Sequence, residues 1–234
     1  MIKPLKLSAA LVLLALSGCA EAVPEQTLSE RVAEQLTERV DRRYDASFTY
    51  QNFELNTLTA ELIATDVGLA TRVNELDDGL NQLLWADYVR LTGDWLSQRQ
   101  DQLRIDRAEV VDAQVTLAYY AAGRSNLHAL VEQVKGQLPL HNANQQVLWQ
   151  IDEVILNNVV VNLFDQGRPL LSVQLQRLEL PPLHSEQTTD EWVDSVIGPL
   201  LEQLIEQVMG GQTQTMTVDM QGLTAFVWRE LGAF

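Results

Sequence analysis

Apolar and polar residues alternate along much of residues 103–130, with the two-residue period of a β-strand that has one buried face. The alternation slips by one position at residues 107–108 and then resumes, so the pattern predicts either two strands or one strongly bent strand. Gly123 gives the backbone freedom for a turn, and Ser125 or Asn126 can cap a helix after it. The apolar positions with helical spacing are Leu127, Leu130, Val131 and Val134. We therefore expect a structural segment, with the Asn126 side chain bonded to nearby backbone and the helix leucines in the core.

A similar strand pattern begins again further along the chain. The Leu-Arg-Ile-Asp of residues 103–106 is echoed by the Trp-Gln-Ile-Asp of residues 149–152, and a slip of phase follows in both copies. The apolar positions of the second copy are Ile151, Val154, Leu156, Val159, Val161 and Leu163. Self-similarity of this kind predicts a tandem β-meander unit. Two strands of one sheet can also be alike by chance, and the sequence leaves that alternative open.

Further strands are indicated by short apolar or alternating runs. These runs lie at residues 48–55, 58–69, 85–91, 171–180 and 216–220. Pro181 and Pro182 end the fourth run, because proline cannot donate a ladder hydrogen bond.

Helical patterns precede and follow these strands. Leu28, Val32, Leu36 and Val40 recur every four residues and predict an amphipathic helix. It either packs on the sheet or lies on a membrane, and its mixed polar face favours packing. A longer helix is predicted over residues 190–209, with a kink at Pro199. Residues 223–234 predict a short terminal helix whose aromatic residues either seal one end of the sheet or dock a partner.

The start of the chain has the organisation of a bacterial lipoprotein signal. Lys3 and Lys6 give a positive start, residues 7–16 form an apolar core, and a Leu-Ser-Gly-Cys box ends at Cys19. The apolar core is about half the length of a membrane-spanning helix, which needs roughly 20 residues. We therefore expect cleavage before Cys19 and acylation of that residue.

Three parts of the chain follow from this expectation. Residues 1–18 would be the signal peptide, residues 19–27 an acylated N terminus with a short tether, and residues 28–234 a single domain. Ala20, not aspartate, follows the cysteine, which indicates the outer membrane, with the domain facing the periplasm. Because Cys19 is the only cysteine, no disulfide can form within the chain.

The chain is strongly acidic, with a formal net charge of −16. Signal cleavage would remove Lys3 and Lys6 and no acidic residue, which makes the charge two units more negative. Nucleic acids and anionic lipid surfaces are bound through clustered lysine and arginine, so this composition argues against both as electrostatic partners. The membrane is therefore expected as a partner only through the acyl chains on Cys19.

No pattern of residues indicates catalysis, a metal site or a cofactor. His128, His141 and His184 lie in unrelated predicted elements, and none has a second ligand at metal-binding spacing. Phosphate-binding glycine loops and the Gly-x-Ser-x-Gly motif are absent from the sequence. Asp106 and Asp152 occupy equivalent positions in the two copies, so a paired-carboxylate site is conceivable, but repetition explains them more simply. We expect a protein that is not an enzyme.

The strand patterns resemble the N-terminal region of the AsmA-like family of bacterial envelope proteins. The matching segments are residues 58–69, 85–91 and 103–117, followed by Gly123, Asn126, Leu127 and Leu130. The resemblance covers about a third of the chain well and residues 149–183 more loosely. It implies an α+β fold in which an elongated, twisted, mainly antiparallel β-sheet forms a groove, with the N-terminal helix and the C-terminal helices packed on it or capping it. The family usually has an inner-membrane anchor and longer chains, and this sequence differs in both respects.

Two functions remain after these exclusions. One is a lipid-handling groove that binds a phospholipid ligand along an apolar strip of the sheet. The residues assigned to this strip are Val115, Leu117, Val159, Val161 and Val173. The other is a scaffolding or assembly lipoprotein with an envelope protein as partner, in which the helix at residues 190–209 closes the groove. An exposed strip of that length would exceed the apolar area that monomers usually expose, so lipid, a helix or a partner must cover it.

Overall fold

The computed structural model describes residues 27–93, 102–137, 148–184, 186–188, 190–195, 198–199, 203 and 216–230. Within these ranges the chain forms a nine-stranded sheet, a three-stranded sheet and several helices. The large sheet is mixed but mostly antiparallel. The expected α+β class with a large, mainly antiparallel sheet is therefore confirmed. Cys19 and most of the expected tether lie outside the described residues.

The helices are α1 (Leu28–Arg43), α2 (Asp78–Asn81), α3 (Asn126–Gln137) and α4 (Met220–Glu230). The strands in the first half are β1 (Ala46–Thr49), β2 (Asn52–Asn56), β3 (Glu61–Thr71), β4 (Gln82–Thr92), β5 (Gln102–Ile105) and β6 (Arg107–Ala121). Those in the second half are β7 (Arg124–Ser125), β8 (Leu148–Ile151), β9 (Val154–Asp165), β10 (Arg168–Leu180), β11 (Leu183–His184) and β12 (Met216–Val218). Residues 190–195 are also helical.

The large sheet has the order β1-β3-β4-β6-β9-β10-β12, and β2 and β7 pair with β3 and β6 beside this path. The run at residues 48–55, expected as one strand, is two strands, β1 and β2, which pair with opposite ends of β3. The run at residues 216–220 is also shorter than expected. Helix α4 already begins at Met220, because Asp219 caps it by accepting the backbone N–H of Gly222 at 3.0 Å.

Helix α1 packs on the edge of this sheet. Thr27 and Glu30 form a capping box at its start, with the Glu30 N–H donating to Thr27 Oγ1 at 3.3 Å and the Thr27 N–H to Glu30 Oε2 at 2.8 Å. Val32 and Ala33 are fully buried and belong to the same apolar cluster as the strands. The polar face of the helix stays in solvent, as the four-residue period requires.

The two copies of the strand pattern lie side by side in the structure. Strand β5 pairs with β8 and β6 pairs with β9, and both pairs are parallel. Every matched pair joins residues 46 positions apart, such as Val111 and Asn157. Between two such pairs, the side chains of Asp112 and Asn158 form a hydrogen bond. Parallel pairing needs a crossover connection, which here includes β7 and α3. The expected β-meander is therefore wrong: the copies are parallel neighbours, not strands joined by tight hairpins.

The strands of the large sheet change their buried face at one common level. The registers of five strands align Asp66, Asp87, Asp112, Asn158 and Gln176 in one row across the sheet, and all five side chains are exposed. We call this row the crease. Three of its residues, Asp66, Asp112 and Asn158, have φ angles of 49°, 50° and 51°. Each of these residues interrupts the alternation, so that apolar side chains on both sides of the crease point into the same core.

The crease predicts an unusual tolerance to glycine at Asn158. Asparagine and glycine adopt positive φ readily, whereas a β-branched residue does so at a cost of about 1–2 kcal/mol. We expect Asn158→Val to lower the free energy of unfolding by at least that amount and Asn158→Gly to lower it less. Gln176→Val, in the same row but without a positive φ, is the matched control and should be nearly neutral. Urea unfolding of the three variants measures these changes. An equal loss of unfolding free energy in Asn158→Val and Gln176→Val would contradict the prediction.

Candidate functional site

The five residues assigned to the apolar strip lie on one face of three neighbouring strands. Val115 of β6 is opposite Val161 of β9, which is opposite Val173 of β10. The next row contains Leu117, Leu163 and Leu171, and the preceding row contains Ala113, Val159 and Leu175. The structure thus brings together all the residues that the alternation placed on this face.

The strip is inside the protein. The exposed fraction is 0% for Val159 and Val161, 1% for Leu117 and Val173, and larger only for the half-buried Val115. Side chains from helices belong to the same apolar cluster. They include Val32 and Ala33 of α1, Val193 of the helical residues 190–195, and Leu223 and Phe226 of α4. In this structure the strip is therefore covered by the protein and is not an open channel.

Helix α4 is held to one end of the sheet by a charged contact. Arg229 donates from Nη1 to Asp165 Oδ2 at 2.9 Å and from Nη2 to Asp165 Oδ1 at 2.7 Å. Its Nε lies 2.5 Å from Glu230 Oε1, and Glu230 in turn accepts the backbone N–H of Gly123 at 2.7 Å. The hydrogen bonds to Asp165 raise the pKa of Arg229 above its usual value. The C-terminal end of α4 is thereby bonded to the turn after β9, through Asp165, and to the turn after β6, through Gly123.

An aromatic contact lies beneath α4. The ring of Phe226 is edge-on to Tyr119 with centroids 4.8 Å apart, and the ring of His128 is 5.8 Å from the same tyrosine. Burial raises the pKa of the Tyr119 hydroxyl. Phe226 is buried and Trp228 is 61% exposed, so only the first of the two seals the end of the sheet. Phe234 lies outside the described residues.

His128 and Ser125 form a close pair at the start of α3. The His128 Nδ1 atom is 2.8 Å from Ser125 Oγ, which also accepts the backbone N–H of His128 at 3.2 Å. Ser125 is only 1% exposed, and its oxygen satisfies the first turn of the helix. The pair therefore has the geometry of a helix cap and not that of an accessible nucleophile with its base.

The surroundings of His128 make stability depend on pH. Burial lowers the pKa of His128 below its usual 6.5, although the carboxylates of Asp190, Glu132, Glu230 and Asp194 oppose the shift. The unfolded chain therefore takes up this proton first, so stability is lost as the pH falls from about 6.5 to the lower pKa that His128 has in the folded protein. We expect His128→Gln to flatten the pH dependence of unfolding below about pH 6.5 relative to the wild type. Urea unfolding at a series of pH values tests this, and identical slopes in the variant and the wild type would contradict it.

The other candidate chemistry of the sequence is not assembled into a reactive site. Arg104 lies between the two equivalent carboxylates, with Nε 3.2 Å from Asp106 Oδ1 and Nη2 2.5 Å from Asp152 Oδ2. This arrangement joins the two copies by ion pairs. His184 lies in an open polar hollow of about 430 Å³, and His141 is outside the described residues. Within the described ranges no group of three or more His, Cys, Asp or Glu residues is placed to hold a metal ion.

Asn126 has a larger role than its expected local bonding. Its Oδ1 accepts the backbone N–H of Leu127 at 2.8 Å and of Ala118 at 3.1 Å, and its Nδ2 donates to the carbonyls of Thr116 at 2.7 Å and Leu80 at 3.0 Å. The side chain is fully buried and joins α3, β6 and the turn of α2. This role could not be predicted from the sequence, because three of the four partners are 8, 10 and 46 positions away. The helix leucines Leu127 and Leu130 were expected to lie in the core. They pack against it and are only partly buried.

None of the helices in the described ranges has both the length and the apolar content that crossing a bilayer would require. Comparison with known proteins gives no family model that matches the chain and no curated protein with significant similarity to it.

Proposed function

We propose that the protein is a non-enzymatic outer-membrane lipoprotein of the AsmA-like type that faces the periplasm and binds phospholipid acyl chains along its apolar strip. The observation that carries the proposal is that the strip and its neighbours form three rows of apolar side chains across β6, β9 and β10 without a polar interruption. An acyl chain gains about 0.8 kcal/mol for each CH₂ group that it buries, so such a surface is sufficient for binding without any charged group.

For an acyl chain to bind, the strip must become accessible to lipid. Because Val159 and Val161 are fully buried here, an acyl chain must take the place of protein side chains that now cover them. Helix α4 has 11 residues, and its contact with the sheet depends on Phe226, Leu223 and the Arg229 contact described above. A short helix with few buried side chains opens at lower cost than the strands beneath it.

A second function is favoured by the same burial. If the covering segments never open, the protein is a closed scaffold that acts through its surface, with an envelope protein as partner. The two functions differ in one observable property, since only the first predicts phospholipid bound to the purified protein. Neither function uses the ion pairs at Arg104 for chemistry.

The membrane attachment is tested by Cys19→Ser. We expect the substitution to abolish incorporation of labelled palmitate and to release the protein from the outer-membrane fraction, because Cys19 is the only cysteine and the body of the chain is acidic. The matched control is Ser17→Ala, which changes the signal sequence without removing the thiol. Retention of label and of outer-membrane fractionation in the Cys19→Ser variant would overturn the attachment.

The ligand is tested by mass spectrometry of the intact protein after gentle extraction from membranes. We expect phospholipid to accompany the wild-type protein and to be lost when Val115 is replaced by aspartate. Val115 is the half-buried member of the strip, so this variant should keep its fold. Gln114→Asp, on the opposite face of the same strand, is the control and should retain lipid. A wild-type protein free of lipid would favour the closed scaffold.

A further inference from the structure

We propose that the turn between β2 and β3, residues 56–60, contacts the lipid bilayer through Leu58, so that the protein stands on the membrane on this end of its sheet. The inference rests on the proposed acylation of Cys19 and adds the orientation of the domain. The partner is the interfacial region of a bilayer of zwitterionic phospholipid.

Leu58 is the most exposed large apolar side chain among the described residues. Its exposed fraction is 96%, and hydrogen bonds to the Asn56 side chain hold the turn that carries it. Asn56 Oδ1 accepts the backbone N–H groups of Leu58 at 3.0 Å and Thr59 at 3.3 Å, and Ala60 completes the turn with a φ of 49°. A fixed turn therefore presents a leucine to the surroundings with almost none of its apolar surface buried.

The tether reaches the domain at this same end. Helix α1 begins at Leu28, and the hydroxyl of Ser29 accepts the backbone N–H of Leu55 at 3.1 Å, close to the turn. An extended chain spans at most about 3.5 Å per residue, so the segment from Cys19 to Thr27 reaches no further than about 28 Å. Leu28 itself is 37% exposed and adds a second apolar side chain to this end.

The exposed apolar side chains of α4, Met220 and Trp228, lie at the opposite end of the sheet. The registers place Leu62, Leu91, Ala108, Val154 and Leu180 at the level near the turn. Helix α4 instead follows β12, which pairs with Leu171 and Val173 at the other end of β10. Strand β3 alone has 11 residues, which at about 3.4 Å per residue separates the two ends by more than 30 Å. Met220 and Trp228 therefore lie far from the point at which the tether leaves.

The charge of the turn also suits a bilayer. The net charge of the chain is −16, yet residues 56–60 are Asn, Thr, Leu, Thr and Ala. The adjoining Glu61 forms an ion pair with Arg90 at 2.5 Å. An acidic body is repelled by anionic lipid, whereas an uncharged turn with an apolar tip can enter the interface.

The test uses the acylated protein with a single added thiol. Leu58→Cys and the control Gln221→Cys, an exposed position on α4, are labelled with the environment-sensitive fluorophore NBD, since the Cys19 thiol is occupied by lipid. Each protein is reconstituted into vesicles of phosphatidylcholine that contain a doxyl-labelled phosphatidylcholine as quencher. We expect the label at position 58 to be quenched several-fold more strongly than the label at position 221.

Three other results would overturn the inference. Equal weak quenching at both positions, with palmitate incorporated, would show an anchored domain that does not touch the bilayer here, and the proposed attachment would stand. Stronger quenching at position 221 would show that the domain rests on its other end. Absence of palmitate from the wild-type protein would overturn the attachment itself, and the orientation with it.

Discussion

Replacing Val161 with aspartate is expected to unfold the protein or bring it close to unfolding. Val161 is 0% exposed and lies in the middle of the central row of the strip, between Val115 and Val173. A carboxyl group there has no partner and must either lose its hydration or take up a proton, at a cost of about 4 kcal/mol or more. The whole stability of a domain is about 5–15 kcal/mol, so one such change removes a large part of it.

The control for this prediction is Gln114→Asp on the neighbouring strand. Gln114 is exposed and pairs with Val160, so the new carboxylate stays in water and should change the free energy of unfolding by about 0.5 kcal/mol or less. Thermal and urea unfolding of the two variants give the comparison. If Val161→Asp melted like the wild type, this face of the sheet would be open to solvent, and the covered interior described above would be wrong.

The second large effect is expected for Asn126→Asp. The substitution keeps the shape of the side chain but places an oxygen against the carbonyls of Thr116 and Leu80, which now accept hydrogen bonds from Nδ2. Two buried acceptors lose their donor and a charge enters a fully buried position, so we expect a loss of about 3 kcal/mol or more.

The matched control is Asn56→Asp at the turn between β2 and β3. There only the Oδ1 atom is used, as acceptor for the N–H groups of Leu58 and Thr59, and aspartate can accept the same two bonds. Its free energy of unfolding should change by less than about 0.5 kcal/mol. Equal losses in the two variants, measured by urea unfolding, would show that the buried network around Asn126 does not stabilise the fold.

The alternation of apolar residues was sufficient to predict most of the strands and the face on which the strip lies. Such patterns report local geometry, because the side chains of a strand point to its two faces in turn. They do not report which strands are neighbours. The sequence therefore indicated two similar copies but not that β6 and β9 pair in parallel, which depends on contacts between residues 46 positions apart.

The crease shows the same limit. Slips of phase were visible in the sequence of several strands, yet only the registers show that Asp112 and Asn158 stand in one row with residues of three other strands. The N-terminal boundary of α4 was missed for a different reason. Asp219 is a recognisable N-cap, but Met216, Val218 and Met220 also fit a strand, and the cap determines the structure.

Whether the strip is open or covered could not be predicted. The apolar face of a strand has the same sequence pattern whether a helix or a lipid covers it. The structure gives complete burial of Val159 and Val161 in its present state. The acylation of Cys19 lies outside the described residues and stays a prediction from the sequence.

Binding of acyl chains to the strip is tested by site-specific photo-crosslinking in cells. A photoreactive amino acid is placed at position 115, where the strip reaches its half-buried margin, and in a second protein at position 114, on the exposed face of the same strand. We expect an adduct with radiolabelled phospholipid at position 115 and none at position 114. The absence of a lipid adduct at position 115, or equal adducts at both positions, would contradict it.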